Sequence, residues 1–235
     1  MPSSIPDIYR EVFSLQREAA DSCFADNEGL STFTRCHNFL KDMEKLRCAV
    51  AGRPEAACFD TAVQEYQYGL TALLLGHYRH AFGSLRLTFE LLLATVYFSA
   101  HEVKLRQWLN GSRDLTWSGI IDDDKGVFSK GFVTAFYPPV EEMRRRFSGL
   151  TSTVYRECSE YVHGNPSTHE SLSGEIKYRA EVLAEFDDKV DGIKSPALFC
   201  FLLRYAPLVD ANNKSSLEPL MIDSFGHEAA VRDYF

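Results

Sequence analysis

Positive charge is what this chain most visibly lacks. Its 25 Lys and Arg are outnumbered by 33 Asp and Glu, giving a net charge of −8 over 235 residues. Counted in segments, Lys/Arg against Asp/Glu run 7 to 10 over residues 1–60, 2 to 2 over 61–100, 9 to 9 over 101–163 and 7 to 12 over 164–235. No segment has the basic excess of a protein that coats a nucleic-acid duplex, although the neutral middle leaves room for a local phosphate site.

A long uninterrupted apolar run is also missing. The most apolar stretch, Gly69 to Phe98, is broken by His77, Arg79, His80, Arg86 and Glu90, whereas a membrane span needs roughly 20 consecutive apolar residues. The six cysteines form no C-x-x-C pair, and the N-terminus has no basic region followed by an apolar run. These features predict reduced thiols in a cytoplasmic protein with no membrane contact. Cys36, His37 and Cys48 match no common zinc spacing, so no metal is expected. Phosphate-binding glycine loops, the G-x-S-x-G elbow and H-E-x-x-H are absent, which removes the common nucleotide, hydrolase and zinc-protease signatures and leaves no cofactor implied.

What is present is helical periodicity. The Gly69–Phe98 stretch reads as two buried helices, 56–76 and 79–100, joined at Gly76-His77-Tyr78 into a central αα-hairpin. Amphipathic helices are predicted over 5–24 and 30–51, with Gly52-Arg53-Pro54 as a stop. A short helix follows at 101–110, then a loop with helical turns over 111–137, in which Trp117 is expected in the core or an interface. From 139 to 163 apolar residues recur at Val140, Met143, Phe147, Leu150, Val154, Cys158 and Tyr161, a stripe at helical spacing. Gly164-Asn165-Pro166 should end that helix, with Gly164 as its left-handed C′ residue. Further helices are expected at 169–190, 196–206 and 216–230. The prediction is an all-α helical bundle on a long central hairpin: residues 1–55 as N-terminal helices, 56–166 as the core and 167–235 as a C-terminal extension.

One constellation looks chemical. Arg156 and His163 are seven residues apart, nearly two full turns, and therefore rise from one side of the helix, with Ser159 and Glu160 between them. Unpaired carbonyls at a helix end favour a cation, which suits an imidazolium at His163. A proton-transferring His beside a permanently charged Arg is what phosphodiester cleavage requires. Other groups have competing roles. Arg86 and Glu90 should pair with each other or with the 139–163 helix, or Glu90 should stand beside His163 and orient its ring. Tyr155 and Tyr161 either pack or stack on a base, Arg144-Arg145-Arg146 is a solvated face or an RNA contact, and His77 and His80 are solvated or capping.

The run Tyr155-Arg-Glu-Cys-Ser-Glu-Tyr-Val-His163-Gly164 resembles the R-x(4–6)-H motif of the HEPN superfamily, compact helical bundles, and Gly76–Glu90 looks like the first hairpin of such proteins in prokaryotic defence and toxin systems. The likeness covers about residues 60–165. It implies a metal-independent endoribonuclease in which Arg156 binds phosphate and His163 is the general acid or base. Ser159, Glu160, Tyr155, Glu90 and Arg86 would support them. It further implies single-stranded RNA or tRNA as substrate, a homodimer, and an antitoxin or defence-system protein as partner. Where well-attested ribonucleases of the family often carry Asn after the motif Arg, this chain has Glu157. The alternative is a non-catalytic helical module that binds a nucleotide, RNA or a partner protein.

Overall fold

The computed structural model describes residues 4–163, 165, 168 and 174–235. It is all-α, with no strand among the described residues. Helix α1 (Ile5–Ala25) starts on Ser4, whose hydroxyl accepts from the Asp7 amide, with Pro6 in the first turn. Asp26 alone separates it from α2 (Asn27–Val50), and its carboxylate caps α2 by accepting from the Glu28 amide at 3.1 Å. The Tyr178 hydroxyl donates to the other oxygen of Asp26 at 2.7 Å and leaves no room for a Cβ on Gly29. That close approach explains why a glycine in the first turn of α2 is tolerated rather than breaking it.

The central hairpin forms as its sequence suggests, from α3 (Ala56–Leu74) and α4 (Tyr78–Phe98). Gly76 makes the turn with φ of 75°, a conformation in which a Cβ is strained. Six consecutive residues of α4, Leu91 to Val96, are buried, so the helix is enclosed over its whole circumference there. Thr88 and Thr95, both fully buried, return their hydroxyl protons to the carbonyls of Ser84 and Leu91 at 2.8 Å. α4 is the one described helix long and apolar enough to cross a membrane, and 67% of its most apolar window is buried inside the bundle.

After α5 (Glu102–Leu109), the helical turns expected within the 111–137 loop are α6 (Trp117–Ile120) and α7 (Lys130–Phe136). The long helix predicted from 139 divides. Pro138–Met143 is a 3₁₀ turn, and α8 runs Arg144–Val162. The C-terminal third differs most from expectation. Residues 174–179 are not helical, and residues 169–173 of the predicted 169–190 helix lie outside the described residues. The remainder joins the predicted 196–206 helix in one continuous helix, α9 (Ala180–Tyr205), with Pro196 inside it. A proline there removes one backbone hydrogen bond and costs about 3 kcal/mol in an exposed helix. Here Pro196 is buried between Ile193 and the run Ala197–Leu203, and burial of those side chains, each contributing about 1.5–3 kcal/mol when large and apolar, outweighs the break. Two short helices, α10 (Ala211–Phe225) and α11 (Ala229–Arg232), stand where one near 216–230 was expected. Asp210 sets the earlier start by accepting from the Asn213 amide at 2.8 Å.

Helix α9 lies against α2, α4 and α8, and residues from Cys23 to Val231 join one continuous apolar cluster. The sections 1–55, 56–166 and 167–235 all contribute to it. All six cysteines are free, and only Cys48 is not fully buried. Where α9 crosses α8, a Cβ on Gly192 would meet Val154 Cγ2 at 2.5 Å, so the helices approach as closely as a glycine permits.

Two predictions follow from this packing. Gly192→Leu should destabilise the protein by about 1–3 kcal/mol through overpacking, whereas Gly149→Ala, on the open face of α8 with nothing within 4 Å, should stabilise it by about 0.5–1 kcal/mol; urea unfolding of both variants measures this. Burial also pushes the Cys58 and Cys158 thiols from an ordinary 9.0 up to about 12. The folded chain then keeps protons that the unfolded chain releases, so unfolding free energy should fall as pH rises from 9.0 towards 12. A Cys58→Ala, Cys158→Ala protein should show a shallower slope, the remainder coming from other buried thiols and phenols such as Cys36 and Tyr205, which burial also raises.

Candidate functional site

Buried Phe147, Thr151, Val154, Cys158 and Tyr161 fix the orientation of α8. With 100° per residue, the face centred on Arg156 and His163 is directly opposite them. Both side chains are exposed and neither makes a hydrogen bond or ion pair with a described residue. His163 is not the last helical residue, as expected, but the C-cap just beyond Val162, its amide donating to the Ser159 carbonyl at 3.0 Å. The proposed C′ residue, Gly164, lies outside the described residues, as does Pro166. Ser159 is half-buried and its hydroxyl is engaged by the Tyr155 carbonyl at 2.7 Å. Glu160 is exposed, and its carboxylate makes no ion pair with a described residue. The outer face also carries Gly149, Ser152 and Thr153, small residues that leave it low.

Arg86, Glu90 and Tyr155 come together, away from His163. The Arg86 guanidinium donates to Glu90 Oε1 at 2.9 Å and to the Tyr155 hydroxyl, which itself donates to Glu90 Oε1 at 2.5 Å. The same guanidinium lies 4.8 Å from the Tyr155 ring centre, and its buried Nε has no hydrogen-bond partner among the described residues. On the opposite side of Tyr155, Trp117 stacks at 3.6 Å and 8°. Burial, then the Glu90 acceptor, raises the Tyr155 hydroxyl above its ordinary range, so it remains a donor. The structure thus selects the pairing role for Arg86 and Glu90 and corrects the alternative: Glu90 does not orient His163, which is eight residues, about 12 Å of helix, beyond Tyr155. Tyr155 packs rather than offering its face to a base, and so does Tyr161, which stacks on Phe82 at 3.9 Å and donates to Glu185.

Sequence reasoning did not find Lys189. From α9 it pairs with Glu157 at 3.0 Å, so the carboxylate next to Arg156 is neutralised from another helix. No local signal could show this, because the two residues are 32 positions apart and α9 was not expected to dock there. Of the arginine triplet, Arg144 is tied to Glu141 at 2.9 Å and Arg146 approaches Glu228 at 3.8 Å, so only Arg145 is an uncommitted exposed cation. His77 is half-buried and bonded to the Gln16 amide at 2.7 Å, its ring 6.0 Å from that of His80; burial and then His80 hold it below its ordinary range. Cys36 is fully buried and donates to Asp187, and among the described residues no three His, Cys, Asp or Glu are grouped to hold a metal. A groove of 720 Å³ between α1 and residues 174–178 is lined by Val12, Leu15 and Ile176 and includes neither Arg156 nor His163. The helix-tip pair lies on an exposed face of α8.

The two groups of residues should separate on mutation. Tyr155→Phe removes a hydroxyl that joins two partly buried charges and should cost about 1–3 kcal/mol, while Arg156→Ala and His163→Ala should stay within about 0.5 kcal/mol of wild type. Comparable losses at all three positions in urea unfolding would make the outward face structural. Compared with protein-family models, with curated proteins and with solved structures, the chain matches none.

Proposed function

We propose that the protein is a metal-independent endoribonuclease of HEPN-like character, acting in the cytoplasm within a bacterial antiviral or toxin–antitoxin system. The observation that carries this reading is the pair Arg156 and His163, exposed and uncommitted on one outward face of α8. Exposed Arg and His side chains elsewhere are common, but these two sit in the motif spacing that carries the resemblance, and the Glu157–Lys189 ion pair weakens the repulsion that Glu157 would exert on a phosphate.

The spacing also bears on the assembly. Seven residues are about 10 Å along a helix, more than one phosphate spans. Two copies of α8 packed antiparallel about a two-fold axis would set Arg156 of each opposite His163 of the other. In such a site a ribose 2′-oxygen attacks its own phosphorus while an imidazole takes its proton. The guanidinium holds the charge on the phosphorane, the P–O5′ bond breaks, and an imidazolium protonates the leaving oxygen. The products are a 2′,3′-cyclic phosphate and a 5′-hydroxyl.

Glu160 favours the second reading, a non-catalytic module that binds a nucleotide, RNA or a protein. Its carboxylate, without an ion pair among the described residues, is set between Arg156 and His163, where it repels a phosphate. Incubation of wild type, Arg156→Ala and His163→Ala with tRNA and total RNA in EDTA decides between them. Cleavage leaving cyclic-phosphate ends, reduced at least about 100-fold by either substitution, is the expected result. Equal inertness of all three proteins supports the binding module.

A further inference from the structure

A second candidate lies where the ends of α4 and α5 meet. After α5, Gly111 takes φ of 68° and turns the chain back, so that residues 113–119 and the ends of α4 and α5 enclose a 140 Å³ cavity. Its apolar wall is aromatic: Tyr97, Phe98 and Trp108, the last two with ring centres 5.6 Å apart and inclined by 33°. The cavity is smaller than the roughly 300–1,000 Å³ of pockets that engulf a whole ligand, so it admits one flat ring system and leaves the remainder at the mouth.

The polar groups around it are uncommitted. Lys104 and Arg113 line the cavity and neither forms an ion pair or side-chain hydrogen bond with a described residue, although the chain as a whole has an acidic excess. Asp114 is equally unpaired. The Tyr97 and Thr116 hydroxyls, also in the lining, lack hydrogen-bond partners among the described residues. Burial and then the Asp122 carboxylate hold the Tyr97 hydroxyl above its ordinary range, so it can donate at neutral pH. Lys104 is partly buried, and most other charged side chains of partial burial are paired, as Arg86, Arg144, Lys189 and Lys194 are; Arg113 and Asp114 stand exposed at the mouth.

We propose that this cavity binds a nucleoside phosphate, its base against Trp108 and Tyr97 and its phosphate on Lys104 and Arg113. Each part of such a ligand meets its chemical complement. A π-face stacks on the aromatic wall, the edge of the base exchanges hydrogen bonds with the two hydroxyls, the sugar diol donates to Asp114, and the phosphate is held by two cations. A plain aromatic ring would leave both cations idle, and inorganic phosphate would leave the aromatic wall in water. The nucleotide is either free or one unit of an RNA strand; the site is the same for both. The proposal does not rest on Arg156 and His163.

Trp108 and Trp117 are the only tryptophans, so Trp117→Phe, which keeps a ring on Tyr155, makes Trp108 the sole reporter. Nucleoside monophosphates, the corresponding nucleosides and a short oligoribonucleotide would be titrated against its fluorescence. The expected result is saturable quenching that weakens about tenfold without the phosphate, or in Lys104→Glu and Arg113→Glu proteins of unchanged circular dichroism, and that persists in His163→Ala. Quenching by monophosphates assigns a free nucleotide, and quenching by the oligonucleotide alone assigns a strand subsite. No quenching by either, or quenching indifferent to both the phosphate and the cations, overturns the proposal.

Discussion

A helix that is apolar around most of its circumference cannot leave one face in water, and α4 is such a helix between Leu91 and Val96. It has to be surrounded, and that requirement organises the bundle. α3 covers one side through the turn at Gly76, α8 a second and α9 a third. The few polar groups along α4 are spent at these contacts. Arg79 donates to the Tyr161 carbonyl at 3.0 Å, and Arg86 and Glu90 close on Tyr155. The direction of α8, and with it the outward aim of Arg156 and His163, follows from how this seam is built.

A second set of interactions ties the two ends of the chain together. Asp187 on α9 accepts from Arg35 on α2 at 2.8 Å, Lys194 donates to Asp42 at 2.6 Å, and the Tyr205 hydroxyl donates to the buried Glu55 at 3.0 Å. Asp42 and Asp187 are each only 8% exposed. Pairs of this kind add little net stability, since desolvation offsets much of the attraction, but a one-turn slip would strand a carboxylate in the interior. They therefore fix the register of α9 on α2 more than they hold it there.

Much of the architecture was legible because it is local. The spacing Phe147, Val154, Cys158, Tyr161 names the inner face of α8, and the opposite exposure of Arg156 and His163 follows from that spacing alone. Gly76 announced the hairpin turn by its freedom to adopt positive φ. The break expected between 190 and 196 does not occur even though Pro196 stands there, because the cost of a proline in a helix is a local quantity and its compensation, burial among the α9 core, is not. The same reason explains the surroundings of Tyr155. Its partners are 65 and 69 residues earlier in the chain, and its stacking partner Trp117 opens the four-residue helix α6, in a segment whose path no periodicity describes. Leu150 fits the apolar spacing yet is 36% exposed, since it stands at the edge of the stripe.

The placement of α9 bears on how the polypeptide reaches this state during synthesis. The apolar hairpin leaves the ribosome about 80 residues before the first turn of α9, whose side chains complete its enclosure. Until Ala180–Tyr205 is made, the surfaces of α2, α4 and α8 that α9 will cover remain wet, and contacts such as Arg35 with Asp187 span 152 positions. Closure is thus a late, non-local event, and nascent chains stalled before that point expose hydrophobic surface of the kind that chaperones hold and that associates with itself.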